Sequence, residues 1–96
     1  MAKVKSDGGS SSYYELPVPQ YLLNKLAQQE RDCEPPTMET GDVIRMLVGN
    51  DFDAGNIIKA LRRIIMAKKG LGKEGTDIEY DLKKIEYFAK EIHRTL

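Results

Sequence analysis

Apolar residues recur at helical spacing in four stretches of the chain, and turn-forming residues separate these stretches. Leu22, Leu23 and Leu26 predict a short helix over about residues 19–30. The Pro-Pro pair at 35–36 must lie beyond its end, because proline cannot continue a helix. No stretch alternates apolar and polar residues with a period of two, so the pattern predicts no β-sheet.

A second helix is predicted to begin at Thr40, because a threonine hydroxyl can cap the free amides of a first turn. Its end is predicted at Gly49 or Asn50, both of which tolerate a left-handed backbone conformation. The apolar face of this helix is formed by Val43, Ile44, Met46 and Leu47.

The third and fourth helices are predicted to be long and to form an antiparallel hairpin. Asp51 or Asp53 can cap the third helix, and Gly70 can end it. The fourth helix begins with a capping box, in which Thr76 is the cap and Glu79 follows three residues later. Its apolar stripe consists of Ile78, Leu82, Ile85, Phe88 or Ala89, and Ile92. The predicted fold is therefore all-α: a small helical bundle with a long antiparallel helical hairpin and an irregular N-terminal arm.

Composition predicts a small protein with one helical domain. Residues 1–12 are small and polar, which predicts a flexible tail before a single domain at 13–96. The 15 basic and 15 acidic side chains cancel, which argues against a nucleic-acid binder. No signal peptide or membrane span is predicted, so a cytoplasmic location is expected. A domain of this size buries a modest share of its surface, so a homo-oligomer is expected.

Three cations lie together on the third helix. Lys59, Arg62 and Arg63 are roughly opposite its apolar residues, and Gly55 and Asn56 lie beside them near the N-terminal end. A helix N-terminus has free amides and the positive end of the helix dipole. A glycine there allows close approach of a ligand, and an asparagine supplies a donor and an acceptor. The pattern therefore indicates an anion or phosphate site.

The same residues also have structural interpretations. Charged residues opposite an apolar stripe are usually the solvated face of an amphipathic helix. Gly55 can let two helices pack closely, and Asn56 can bond a neighbouring backbone group. Lys59 or Arg63 can pair with Asp81 across the hairpin. The sequence leaves these interpretations open beside the phosphate site.

Other reactive side chains give no clear signal. His93 is the only histidine and lies near the C-terminus, so it does not predict catalysis. Cys33 is the only cysteine, so no disulfide can form within the chain. Asp51 and Asp53 are explained by helix capping, and no Glu-x-x-Glu pair is present, so no metal site is predicted. The glycine-rich loop before the fourth helix does not have the spacing of a P-loop.

The order of these residues resembles a family of small phage and prophage proteins, mostly catalogued as a domain of unknown function. In that family one helix reads Gly-Asn-x-x-Lys-aromatic-x-x-Arg, and a second helix reads Asp-Leu-x-Lys followed by aromatic residues. Ala60 stands where the family usually has an aromatic residue. The resemblance covers about residues 40–92. The matching positions are Gly55, Asn56, Lys59, Arg63, Asp81, Leu82, Lys84 and Phe88.

The resemblance implies a phosphate-bearing, nucleotide-type ligand in the cytoplasm of a phage host. The family's well-known member is a nucleotide kinase without a P-loop. One alternative is therefore a deoxynucleoside monophosphate kinase that uses ATP and Mg²⁺, with Asp81 as a candidate acid–base group or metal ligand. The other alternative is a non-catalytic module that binds a host factor or sequesters a nucleotide. The implied ligand contacts are Gly55, Asn56, Lys59, Arg63, Lys84 and Tyr14, with Tyr13 as an alternative to Tyr14.

Overall fold

Four α-helices form the regular structure in the part of the chain that the computed structural model describes, residues 14–75 and 77–96. None of these residues forms a β-strand, so the all-α prediction is confirmed. None of the described helices is long and apolar enough to cross a lipid bilayer. The tail predicted at 1–12 lies outside the described residues. The helices are α1 (Gln20–Arg31), α2 (Thr40–Val48), α3 (Phe52–Lys68) and α4 (Ile78–Arg94).

The chain divides between residues 38 and 39 into two units, and the first unit contains α1. The C-terminal end of α1 is closed by two backbone hydrogen bonds. The Cys33 N–H donates to the Glu30 carbonyl at 3.1 Å, and the Glu34 N–H donates to the Gln29 carbonyl at 2.8 Å. Cys33 has a φ of 58°, a left-handed conformation that glycine usually takes at this position. The single domain expected over 13–96 stays a prediction.

The start of α2 differs from the prediction by one residue. Thr40 is the first helical residue and Glu39 is the cap, so the prediction that the Thr40 hydroxyl caps this helix is wrong. The Asp42 carboxylate, in the first turn, accepts a hydrogen bond from the Glu39 backbone N–H at 3.2 Å. A carboxylate at this position also interacts favourably with the positive end of the helix dipole. Gly49 follows the helix with a φ of 66°, as predicted.

The second unit contains the predicted antiparallel hairpin, in which α3 and α4 pack together. Arg63, near the end of α3, contacts Asp81, near the start of α4. Phe52, at the start of α3, packs edge-on against Phe88, late in α4, with ring centroids 5.8 Å apart. Contacts at both ends require the two helices to run in opposite directions.

Both ends of α3 are closed by the residue types that the sequence indicates. The Asp51 carboxylate accepts a hydrogen bond from the Ala54 N–H at 2.8 Å, which confirms one of the two predicted caps. Gly70 follows the last turn with a φ of 75°. This conformation lets the Leu71 N–H donate to the Met66 carbonyl at 2.9 Å.

The start of α4 is capped by an aspartate. The predicted cap, Thr76, lies outside the described residues. In the structure Asp77 precedes the helix, and its carboxylate accepts a hydrogen bond from the Glu79 N–H at 3.0 Å. The negative charge of Asp77 also complements the positive end of the α4 dipole.

The second unit has a small apolar interior. Among its described residues, the buried apolar side chains are Ala60 and Ile64, at 0% and 7% exposure. Asp42 and Asp81 are its buried polar residues, at 6% and 2% exposure. So few buried apolar side chains supply little hydrophobic stabilisation. The polar contacts within the hairpin therefore matter more than they would in a larger domain.

Candidate functional site

A groove lies between the first turn of α2 and the middle of α3. Lys59, Arg62 and Arg63 line it from α3, and two residues of the first turn of α2 line it from the other side. The backbone amides of a first turn lie at the positive end of the helix dipole. We call this cavity the α2–α3 groove; its volume is about 390 Å³, and its lining residues are Thr40, Gly41, Ile44, Lys59, Arg62 and Arg63.

The groove includes residues that the sequence motif omits. Arg62 lies beside Lys59 and Arg63, although the motif includes only the latter two. The helical periodicity placed it on the same cationic side of α3, but the family motif did not include it among the ligand contacts. Thr40 and Gly41 were also missed, because periodicity within α3 does not show which part of another helix packs beside it.

Arg63 is held by a buried carboxylate. Its Nε and Nη2 both donate to Oδ1 of Asp81, at 3.0 and 2.6 Å. The Asp81 side chain is 2% exposed, whereas that of Arg63 is 40% exposed. The hydrogen bond to Asp81 raises the pKa of Arg63, against a smaller opposing effect of burial, so the guanidinium stays charged. Nη1 makes no hydrogen bond to the described residues and is therefore available to a ligand.

The position of Asp81 defines what it can do. Because it is buried and bonded to Arg63, it orients that guanidinium, which is one of the structural interpretations that the sequence left open. Within residues 14–75 and 77–96, no group of three or more His, Cys, Asp or Glu side chains is arranged to hold a metal ion. The described residues therefore support a positioning role for Asp81.

Gly55 and Asn56 belong to the second turn of α3, and their polar groups already have partners. The Gly55 N–H donates to the Asp51 carbonyl at 3.0 Å, so the free amide expected at this glycine is absent. The Asn56 side chain donates from Nδ2 to the Phe52 carbonyl at 2.8 Å. A Cβ built on Gly55 would lie 3.4 Å from Cγ2 of Ile44, so this glycine faces α2.

Replacing Gly55 by alanine is expected to raise the free energy of unfolding by about 0.5–1 kcal/mol, because alanine favours a helix interior over glycine by that amount. The added methyl group would make an ordinary van der Waals contact with Ile44 at 3.4 Å. Urea unfolding of the two proteins measures the change. Gly55→Leu is the control. Its larger side chain should push against α2 and therefore lower the free energy of unfolding instead of raising it. A loss of stability in Gly55→Ala would show that α2 and α3 pack more closely than the structure places them.

Two further hollows adjoin the α2–α3 groove. One, of about 360 Å³, extends past Gly55 and Asn56 toward the start of α3, and Lys59 lines both it and the groove. The other, of about 510 Å³, lies on the α4 side, where Arg63 and Lys84 are among its lining residues. Lys59 and Arg63 therefore connect the groove to its neighbours on either side.

The hollow on the α4 side contains an exposed aromatic ring. Tyr80 lines it and is 59% exposed. The Nζ atom of Lys84 lies 5.6 Å from the centroid of the Tyr80 ring, within the range of a cation–π interaction. Arg63 lines this hollow as well as the α2–α3 groove, so Tyr80 and Lys84 are close to the cationic region.

The predicted ligand contacts are divided between the two units. Lys59 and Arg63 line the groove, and Lys84 is joined to it through the hollow that Arg63 shares. Tyr14 belongs to the first unit and is 78% exposed, whereas the other predicted contacts belong to the second unit. Tyr13, the alternative to Tyr14, lies outside the described residues.

Comparison with known proteins finds no relative: no family model matches the chain, and neither the curated proteins nor the solved structures contain a match. Kinship with the phage family therefore stays a proposal that rests on the motif. The arrangement of side chains around the α2–α3 groove is the basis on which its function can be argued.

Proposed function

We propose that this protein binds a phosphate-bearing, nucleotide-type ligand in the α2–α3 groove. The observation that supports this most is the convergence of Lys59, Arg62 and Arg63 on the first turn of α2. Phosphate oxygens are bound by Lys and Arg side chains and by free amides at helix N-termini. The groove volume of about 390 Å³ lies within the range of small-molecule sites.

The groove carries a surplus of positive charge. Arg63 is paired with Asp81 at 2.6 Å, but no salt bridge joins Lys59 or Arg62 to the described residues. Asp42, in the first turn of α2, lies 3.5 Å from Nη1 of Arg45. Two unpaired cations favour a ligand with two or more negative charges, such as a phosphate monoester. Since the whole chain has no net charge, this attraction is local and weakens as salt is added.

The nucleotide character of the ligand rests on two further observations. The Gly-Asn-x-x-Lys and Asp-Leu-x-Lys helices resemble those of the phage family, and we include kinship with that family in the proposal. The exposed ring of Tyr80, in the hollow that Arg63 shares with the groove, offers a surface on which a base can stack. A ligand with phosphate in the groove and a base near Tyr80 would use both features.

Replacing Lys59 by alanine is expected to weaken ligand binding by about tenfold or more, because a charge-assisted hydrogen bond contributes about 1.5–3 kcal/mol. Titration calorimetry with mononucleotides, cyclic dinucleotides and ATP measures the affinity of the wild type and the variant. Lys83→Ala is the matched control, since Lys83 is exposed on α4 and does not line the groove. Absence of wild-type binding to every compound, or equal effects of the two substitutions, would contradict the proposal.

A second measurement separates binding from catalysis. A monophosphate that binds is incubated with ATP and Mg²⁺, and formation of the diphosphate is followed. Turnover that Lys59→Ala reduces would assign the kinase alternative. Binding without turnover would assign the sequestering alternative, in which the protein withdraws a nucleotide without changing it.

We also propose that the chain forms a homo-oligomer. In the second unit Ala60 and Ile64 are the buried apolar side chains among the described residues, whereas larger ones on both hairpin helices are substantially exposed. Small domains with little apolar interior often gain stability from association. Sedimentation of the full chain over a range of concentrations tests this part of the proposal.

A further inference from the structure

Two exposed aromatic rings lie in the hollows on either side of the α2–α3 groove. Tyr80, at 59% exposure, lines the hollow on the α4 side, and Phe52, at 73% exposure, lines the hollow at the start of α3. The first hollow shares Arg63 with the groove, and the second shares Lys59 with it. A ring is therefore available beyond each end of the cationic groove.

The two rings are separated along the hairpin, and the cations lie between them. Phe52, Lys59 and Arg63 are spaced by seven and four residues, so at about 100° per residue they share one side of α3. Phe52 packs against Phe88, and Tyr80 lies eight residues before Phe88 on α4, which is a rise of about 12 Å. The rings are therefore about two helical turns apart.

Positive charge is concentrated between the rings and decreases toward both of them. Three cations line the α2–α3 groove, and among the described residues no carboxylate lines it. Each outer hollow does contain carboxylates: Asp51 at the start of α3, and Asp77 and Asp81 on the α4 side. A phosphate group is therefore attracted most strongly to the groove, whereas the outer hollows favour uncharged groups such as bases.

From this arrangement we infer that the ligand is a dinucleotide, in which a phosphodiester or a pyrophosphate joins two nucleosides. The phosphate linkage lies in the α2–α3 groove, one base stacks on Tyr80, and the second base stacks on Phe52. A mononucleotide has one base and cannot occupy both rings. The inference rests on the proposed nucleotide binding and adds the second base and the ring that holds it.

Titration calorimetry of the full chain with matched ligands tests the second base. The ligands are the mononucleotides of adenine, guanine and thymine, and two kinds of dinucleotide with the same bases: phosphodiesters that carry a terminal phosphate, and dinucleoside pyrophosphates. One kind of dinucleotide is expected to bind about tenfold or more tightly than the mononucleotide of the same base, because a second base adds a second stacking contact. The kind that binds more tightly identifies the linkage.

Removing either ring should abolish the advantage of the dinucleotide. In Phe52→Leu and in Tyr80→Leu the dinucleotide is expected to bind about as tightly as the mononucleotide, since one ring remains to hold one base. Leucine preserves an apolar contact with Phe88, so Phe52→Leu should leave the hairpin folded. Phe52→Tyr restores an aromatic ring at this position and should restore the advantage.

A second tyrosine provides the matched control. Tyr87 is 57% exposed and packs edge-on against Phe88 with ring centroids 5.1 Å apart, as Phe52 does at 5.8 Å. Tyr87 lines neither the groove nor the two outer hollows. Tyr87→Leu should therefore leave the difference in affinity between dinucleotide and mononucleotide unchanged.

The outcomes separate this inference from the proposed function. Absence of binding to every nucleotide overturns both. Mononucleotide binding that Lys59→Ala weakens, without a gain for either dinucleotide, overturns the dinucleotide alone. Equal losses in Phe52→Leu and Tyr87→Leu also overturn it, because the effect would then come from packing against Phe88. A further gain with a hexanucleotide would assign the rings to a nucleic-acid strand instead. A gain that both ring variants lose and Tyr87→Leu keeps supports the inference.

Discussion

Replacing Arg63 by methionine is expected to lower the free energy of unfolding by about 3 kcal/mol, the lower end of the range for breaking a buried ion pair. The substitution leaves the Asp81 carboxylate, at 2% exposure, without the cation that compensates its burial. The lower end applies because Arg63 itself is 40% exposed, and solvent already screens part of its charge.

The reverse substitution should be milder. Asp81→Asn is expected to lower the free energy of unfolding by about 1 kcal/mol, because the amide oxygen can still accept a hydrogen bond and the partly exposed Arg63 can turn toward water. The double variant Arg63→Met/Asp81→Leu should recover most of the stability that Arg63→Met loses, since it removes both charges from the hairpin. Urea unfolding in a phosphate-free buffer measures all three variants without contributions from a ligand in the groove.

An exposed ion pair provides the matched control. Arg94 and Glu91 lie 2.7 Å apart on α4, and their side chains are 68% and 24% exposed. Arg94→Met should therefore leave stability nearly unchanged. If Arg63→Met lowers the free energy of unfolding no more than Asp81→Asn or Arg94→Met does, the Arg63–Asp81 pair does not contribute to stability as a buried ion pair should.

This pair changes how the sequence motif should be interpreted. Arg63 and Asp81 match both halves of the motif, but their direct contact gives them a structural reason to be present. Loss of ligand binding in an Arg63 variant would therefore be ambiguous, because the hairpin itself would be weakened. Lys59 has no salt bridge to the described residues, so its replacement tests the groove more cleanly.

The sequence predicted the hairpin well because its signals are local. Gly70 supplies the left-handed residue that ends α3, and Asp51 caps its start. The start of α2 was harder, because both Glu39 and Thr40 can precede a helix. The choice depends on Asp42, whose carboxylate accepts from the Glu39 N–H and fixes the boundary.

The site was less predictable, because its walls come from two helices. The periodicity of α3 placed Lys59 and Arg63 on one side, but the groove exists only because α2 packs beside them. Gly55 shows the same limit: its lack of a side chain indicated close approach by a ligand or by a second helix. The contact with Ile44 shows that the second helix approaches it.

Replacing Ala60 by phenylalanine is expected to lower the free energy of unfolding by about 3 kcal/mol, the upper end of the usual range for overpacking, since a large side chain in a packed interior forces neighbouring groups apart. Ala60 is 0% exposed, and it lies in α3 between Lys59, which lines the groove, and the buried Ile64. Thermal unfolding measures the change. The stability of Ala60→Val is expected to lie between those of the wild type and Ala60→Phe. Lys83→Phe adds the same ring at an exposed position of α4 and should lower the free energy of unfolding much less than Ala60→Phe does.

The result also bears on the proposed kinship with the phage family, in which an aromatic residue usually occupies the position of Ala60. An aromatic ring at a position with no exposed surface would displace the hairpin before it could reach a ligand. The alanine is therefore required by close packing in this protein, and its presence does not remove a stacking surface from the groove. A stable Ala60→Phe variant with tighter nucleotide binding would contradict this argument, because the ring would then have reached the ligand. In the expected outcome, base stacking must come from a side chain that is already exposed beside the cations, and Tyr80 is placed to provide it.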